Sequence, residues 1–229
     1  ISGTAAPAPV PPSTVSLSFT DLTSTAGNIT IAGGGTGAPT SNQIGVNLYQ
    51  STAHALNGNL TITGTTDYGY AGVAIDGGGG TATYEAKNVT ITGNRTYSGG
   101  NAVDIYTDHV AGSQSVQILG VGGDVSISQS VVDSSGGTVT MQSDVGSVAL
   151  VDSQVTAAGN IGISGGMGAS SYYYHGVHIW NSTIASTGGG VVHIVWYSVG
   201  LRSDTMQALL AEIAPVATRY GATAYTVHR

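Results

Sequence analysis

The sequence predicts an all-β fold: a right-handed parallel β-helix, or solenoid, of about seven three-strand coils with a short C-terminal helix-plus-strand cap. Three observations predict it. An apolar beat returns seven times, a second beat follows it at near-constant distance, and the composition is rich in glycine and small polar residues but poor in charge.

The first beat is a valine followed two residues later by Leu or Ile. It occurs as Val15-Leu17, Val46-Leu48, Val73-Ile75, Val103-Ile105, Val125-Ile127, Val148-Leu150 and Val177-Ile179. Seven residues after each valine stands a third small or aliphatic position, at Leu22, Ala53, Val110, Val132, Val155 and Ile184, with Gly80 at that spacing in the third copy. The second beat is Ile29-Ile31, Leu60-Ile62, Val89-Ile91, Val116-Ile118, Val139-Met141, Ile161-Ile163 and Val192-Ile194. It trails the first by thirteen to sixteen residues, whereas the copies themselves are spaced by twenty-two to thirty-one. One side of each unit is therefore constant and the other varies.

Period-two alternation over short β-branched segments bounded by Gly and Asn is a strand signal. One such unit cannot bury its apolar face, but stacked units pair in parallel at about 4.8 Å per coil and share an interior. Parallel crossovers are overwhelmingly right-handed, which sets the expected hand. Two polar columns mark the corners. Asn28, Asn59, Asn88 and Asn160 precede the second beat, and Thr20, Ser51, Asp108, Ser130, Ser153 and Ser182 fall five residues after the first. Both read as stacked hydrogen-bonded ladders, and the Asn-x-Thr sequons within them as by-products of the stacking.

The repeat occupies residues 14–197. Residues 1–13, "ISGTAAPAPVPPS", read as a Pro/Ala-rich arm. Residues 198–229 leave the repeat: Met206, Leu209, Leu210 and Ile213 follow Asp204 at helical spacing, Pro215 ends that helix, and "ATAYTVHR" alternates like a strand. Such a cap covers an open solenoid end or meets another subunit.

Charge excludes several function classes. Five basic against twelve acidic residues give −7, so nucleic acid is not an expected partner. There is no cysteine, hence no disulfide framework or thiolate metal site. No apolar run is long enough to insert into a membrane. The chain opens on Ile1 rather than Met, as a processed or excised segment would, with any export signal already gone.

The phrases "GNLTITG", "NVTITG" and "GVHIWNSTIASTGGG" resemble the repeats of filamentous-haemagglutinin-like adhesins, β-helical exoproteins of Gram-negative bacteria, over about residues 13–197. The resemblance implies an extracellular or cell-surface setting and a role in attachment, aggregation or biofilm contacts.

The variable loops, about residues 33–43, 64–71, 93–101 and 165–175, emerge along one edge and carry Tyr68, Tyr70, Tyr97, Tyr172, Tyr173 and Tyr174. Aromatic faces beside hydroxyl and amide groups suit sugars, so this edge is the expected contact with a glycan or cell-surface ligand. A further line, Tyr49, Tyr106 and Trp180, points outward at a corner. End-to-end association into an extracellular filament is the alternative, motivated by the open ends, the arm and the scarcity of repelling charge. Catalysis is not expected: Asp76, Asp104, Asp108, Asp133 and Asp152 do not converge as glycoside chemistry requires. His175, His178 and His193 lack acidic or thiolate companions for a metal, and no cofactor is implied. The outward threonines Thr30, Thr61, Thr63, Thr90, Thr92, Thr138 and Thr140 suggest the flat arrays of ice-binding solenoids, a third choice because Gln117, Gly162 and His193 interrupt the column.

Overall fold

The structure, a computed structural model, describes residues 14–35, 43–97, 99–166 and 176–196. The arm at residues 1–13 and the cap at residues 198–229 lie outside them.

The chain is a parallel β-solenoid. Seven strands, Val15–Ser18, Ile44–Tyr49, Ala71–Asp76, Asn101–Tyr106, Asp124–Ser128, Val148–Val151 and Val177–Trp180, stack in chain order as one sheet. They are numbered here as rungs 1 to 7. The register joins like to like, Val15 on Val46 on Val73 on Val103, then Val125, Val148 and Val177.

The rest of each rung forms a second parallel sheet of eleven strands. Here the architecture differs from three separate strands per coil. In rungs 2, 3 and 4 the two outer segments fuse into single long strands, Thr52–Thr66, Ala82–Arg95 and Asp108–Val121. Register shifts between Ala55 and Asn59 and between Ala86 and Asn88 mark the place where the fused strands bend. The bend turns the corner without ending the ladder, so a continuous strand does the work of two.

Alternation decides what is inside. Val46, Val73 and Val103 are wholly buried in one cluster with Ile62, Ile91, Ile118 and Met141 from the facing sheet. Each fully buried Ile or Leu contributes about 1.5–3 kcal/mol of burial free energy, repeated rung after rung. With both sheets parallel and no disulfide available, this column and the inter-rung ladder carry the fold.

The third apolar position in rung 3 is not Gly80. Tyr84 pairs in register with Ala53 below and Val110 above and is 1% exposed. The insertion Gly77–Gly80 displaces the column by four residues in sequence while keeping it straight in space.

The first corner contains a feature that spacing did not reveal. Phe19, Gln50, Thr107, Gln129, Asp152 and Asn181 all have φ between 46° and 58°. Left-handed backbone costs a non-glycine residue about 1 kcal/mol or more, so something must offset it six times over. Each residue immediately precedes a member of the polar column Thr20, Ser51, Asp108, Ser130, Ser153 and Ser182. The amides of Phe19, Gln50, Thr107, Gln129 and Asp152 donate to carbonyls of the next rung. The hydroxyls of Ser51, Ser130, Ser153 and Ser182 accept the amides of Thr20, Asp108, Ser130 and Ser153 one rung below, at 3.0–3.2 Å. They also donate to the carbonyl two residues earlier in their own chain. At five of these six corners the inter-rung bond of the left-handed residue's own amide offsets the strained dihedral.

The asparagine column is more varied. Asn28 Oδ1 accepts the Asn59 amide, and Asn88 Nδ2 donates to Asn59 Oδ1 at 2.8 Å. The ladder then passes to Ser115, whose hydroxyl donates to Asn88 Oδ1, and Asn160 Oδ1 accepts the Val191 amide.

Candidate functional site

The turns that leave rungs 2 and 3 stack as the strands do, and they bring side chains 29 positions apart in sequence into contact. Tyr68 and Tyr97 lie face to face, ring centroids 4.0 Å apart and planes inclined by 17°. Beside them Tyr70 donates its hydroxyl to Asp104 Oδ2 at 2.7 Å, on the outward side of rung 4. All three rings stay substantially exposed, at 37%, 54% and 49% for Tyr68, Tyr70 and Tyr97. The structure thus assembles three of the six sequence-selected tyrosines into an aromatic ledge. Tyr172, Tyr173 and Tyr174 lie outside the described residues, as does His175.

The ledge is anchored from beneath. The buried Thr66 accepts the Gly69 amide on its hydroxyl. Tyr70 donates its amide to the Gln43 carbonyl, and Thr96 donates its hydroxyl to Asp67 Oδ1 at 2.7 Å, tying the two turns together. Under them lies Arg95, 8% exposed. Its Nη1 donates to the Tyr70 carbonyl at 2.9 Å and to that of Asn101 at 3.5 Å; Nε donates to Tyr97 O at 3.3 Å and Nη2 to Gly99 O at 3.5 Å. A guanidinium fork is suited to gathering several carbonyls at once, and this one binds both tyrosine turns to the start of rung 4. Burial lowers the Arg95 pKa from its usual range, and the charge of Asp124 opposes that shift. Gly122 and Gly123 make room for it: a Cβ at Gly122, where φ is +74°, would meet the Arg95 carbonyl oxygen at 2.0 Å. Arg95 was not singled out in the sequence, because nothing in its spacing says that its charge is turned inward.

The electrostatics of the ledge are acidic. The Tyr70 phenol is pushed up to about 12, first by its hydrogen bond to Asp104 and then by burial. The Tyr68 phenol is also raised, chiefly by hydrogen bonding with Tyr97.

The other carboxylates considered in the sequence are placed apart. Asp76 accepts the Gly78 amide and closes the rung 3 insertion. Asp152 accepts from Asn181 Nδ2. Asp133 is paired with His109 at 2.5 Å on the outer face of the second sheet, where His54 Nδ1 also lies 3.5 Å from Glu85 Oε1. These pairs flank a shallow depression of about 250 Å³ floored by Ala111 and Gly112. Asp108 is inside the solenoid, 1% exposed. Burial, and next the charge of Asp76, raise its carboxyl to about 7; backbone groups of Ala82, Gly77 and Tyr106 oppose this without completing a hydrogen bond to either oxygen. The neighbouring Tyr84 hydroxyl is buried and unpartnered as well.

His178 and His193 stand on different sheets, aligned with Ala149 and Gly162. Among the described residues no group of three or more His, Cys, Asp or Glu side chains is arranged to hold a metal ion. No described helix is long and apolar enough to cross a membrane. The threonine row Thr30, Thr61, Thr90 runs over three rungs before Gln117 breaks it. At the first corner Phe19 packs edge-on against Tyr49 with centroids 5.6 Å apart, while Tyr106 and Trp180 remain exposed.

Comparison with protein-family models, curated proteins and solved structures returns no match.

Proposed function

We propose that the chain is an extracellular, non-catalytic β-solenoid of a bacterial surface that makes adhesive contacts through its tyrosine ledge, with saccharides as the ligand class. The stacked, exposed Tyr68–Tyr97 pair carries this reading. Two large aromatic side chains held in a fixed, exposed arrangement retain apolar area that a partner can cover, and their rotamer freedom is already spent. Hydroxyl and carboxylate groups of Tyr70, Asp67 and Asp104 border the rings, as saccharide recognition demands. The filamentous-haemagglutinin-like phrasing of the repeats and the low charge of the chain add support for a cell-surface role in attachment or aggregation.

The test is a glycan and cell-binding screen of three proteins: wild type, a Tyr68→Ser/Tyr97→Ser variant, and a variant with Tyr172, Tyr173 and Tyr174 all changed to Ser. Binding that falls at least tenfold in the first variant fits the proposal. Binding that survives in both variants removes the ledge from the account.

A further inference from the structure

Granted that the ledge contacts saccharides, its charge distribution narrows the class. We propose that it accepts neutral saccharides and discriminates against acidic ones.

Consider first what an anionic sugar would need. Carboxylated or sulfated glycans are held by cationic donors, above all by arginine, whose fork pairs with two anionic oxygens at once. Lys87 and Arg95 are the two Lys or Arg residues among those described. Lys87 sits mid-strand at the register shift of Ala82–Arg95, eight residues before the Arg95 end that meets the tyrosine turns. Arg95 is directly beneath the rings, but it is buried and its guanidinium is directed at the carbonyls of Tyr70, Tyr97, Asn101 and Gly99. To reach a ligand it would have to abandon the bonds that hold the ledge together. It is a positioning residue, and its charge is spent internally.

Among the described residues, the charges that face the ledge are negative. Asp67 stands in the Tyr68 turn, Asp104 under the Tyr70 hydroxyl, and Asp144 at the amide of Gly122 on the adjoining turn. Ionised carboxylates accept hydrogen bonds and cannot donate them. Each retains acceptor capacity after its one described bond, which matches the hydroxyl donors of an uncharged sugar. The same groups repel a uronate, sialate or sulfate brought onto the rings. At physiological ionic strength screening operates over about 8 Å, so charges a few ångströms away are felt and those farther off are not.

The experiment measures affinity of the full chain, by calorimetry or glycan array, for matched probes: galactan against polygalacturonate oligosaccharides, and lactose against sialyllactose. The neutral member is expected to bind at least tenfold more tightly, with the ratio shrinking as salt rises from 0.05 to 0.5 M (about 14 to 4 Å of screening). In an Asp67→Asn/Asp104→Asn variant the ratio is expected to contract severalfold. Equal or tighter binding of the acidic members overturns this inference while leaving the ledge as a saccharide contact. Discrimination that ignores both salt and the Asn substitutions overturns it too, since charge would not be the cause. No binding of any probe at millimolar concentration overturns the saccharide reading itself, and this inference with it.

Discussion

Asp108 occupies a position where Ser51, Ser130, Ser153 and Ser182 stand in other rungs, and that difference has a measurable consequence. Its carboxyl lies inside the solenoid with neither oxygen hydrogen bonded, and its pKa is about 7 against an ordinary 3.8. Below pH 4 the group is protonated whether the chain is folded or not, and burial of its charge costs nothing. Between pH 4 and 7 the folded state binds a proton that the unfolded state has released, so the unfolded state binds fewer and stability falls as pH rises. Above about pH 7 the full cost is present. A displacement of roughly three pH units corresponds to about 4 kcal/mol at 1.36 kcal/mol per unit, taken as an upper limit. Asp108→Asn removes the charge and keeps the shape. Urea unfolding of wild type and variant at pH 4, 5.5 and 8 isolates this residue from the other acids. Relative to wild type, the variant should gain stability progressively from pH 4 to 8, by up to about 4 kcal/mol. With a slope of about 3 kcal/mol/M, that is a midpoint shift on the order of 1 M. A stability difference that does not change with pH would refute the burial of an uncompensated carboxyl at this corner.

Three further outcomes follow from the geometry. The His109 imidazole, raised above its ordinary value chiefly by hydrogen bonding to Asp133, should titrate above 6.5 by NMR and return toward that value in Asp133→Asn; the pair's contribution is fully present below the unfolded pKa and is lost as pH rises through the folded one. Ile105→Ala, at a wholly buried position in the middle of the stack, should cost about 2–5 kcal/mol in chemical denaturation, whereas the outward Ser126→Ala should stay within about 0.5 kcal/mol. Gly93→Ala would place its Cβ 1.8 Å from the Ala102 carbonyl oxygen and should abolish cooperative unfolding or the folded state itself, while Gly162→Ala, with nothing within 4 Å, should be neutral or stabilising by up to about 1 kcal/mol.

The solenoid was legible because burial on one side of a strand leaves a period-two imprint, and stacking repeats it. The same valines that mark the beat, from Val15 to Val177, are those that pair in register. Where spacing was interrupted the reading slipped: the Gly77–Gly80 insertion hid Tyr84 as the member of its column. The left-handed residues Phe19, Gln50, Thr107, Gln129, Asp152 and Asn181 share no chemistry, so nothing but their place before the first-corner polar column gives them away. For the ledge, the sequence indicates which edge carries tyrosine. It does not encode that Tyr68 and Tyr97 meet, because that contact depends on the register of Thr66 on Arg95 and on the inward turn of the Arg95 guanidinium.

The most direct measurement is a NOESY spectrum of the methyl- and ring-labelled chain. Contacts Val46 to Val73 and Val73 to Val103, together with Tyr68 to Tyr97 ring contacts, are the expected result, since one stacking register creates the core column and the ledge alike. Valine methyls with no neighbour in the adjoining rung, or rings of Tyr68 and Tyr97 that show no mutual contact, would contradict the account.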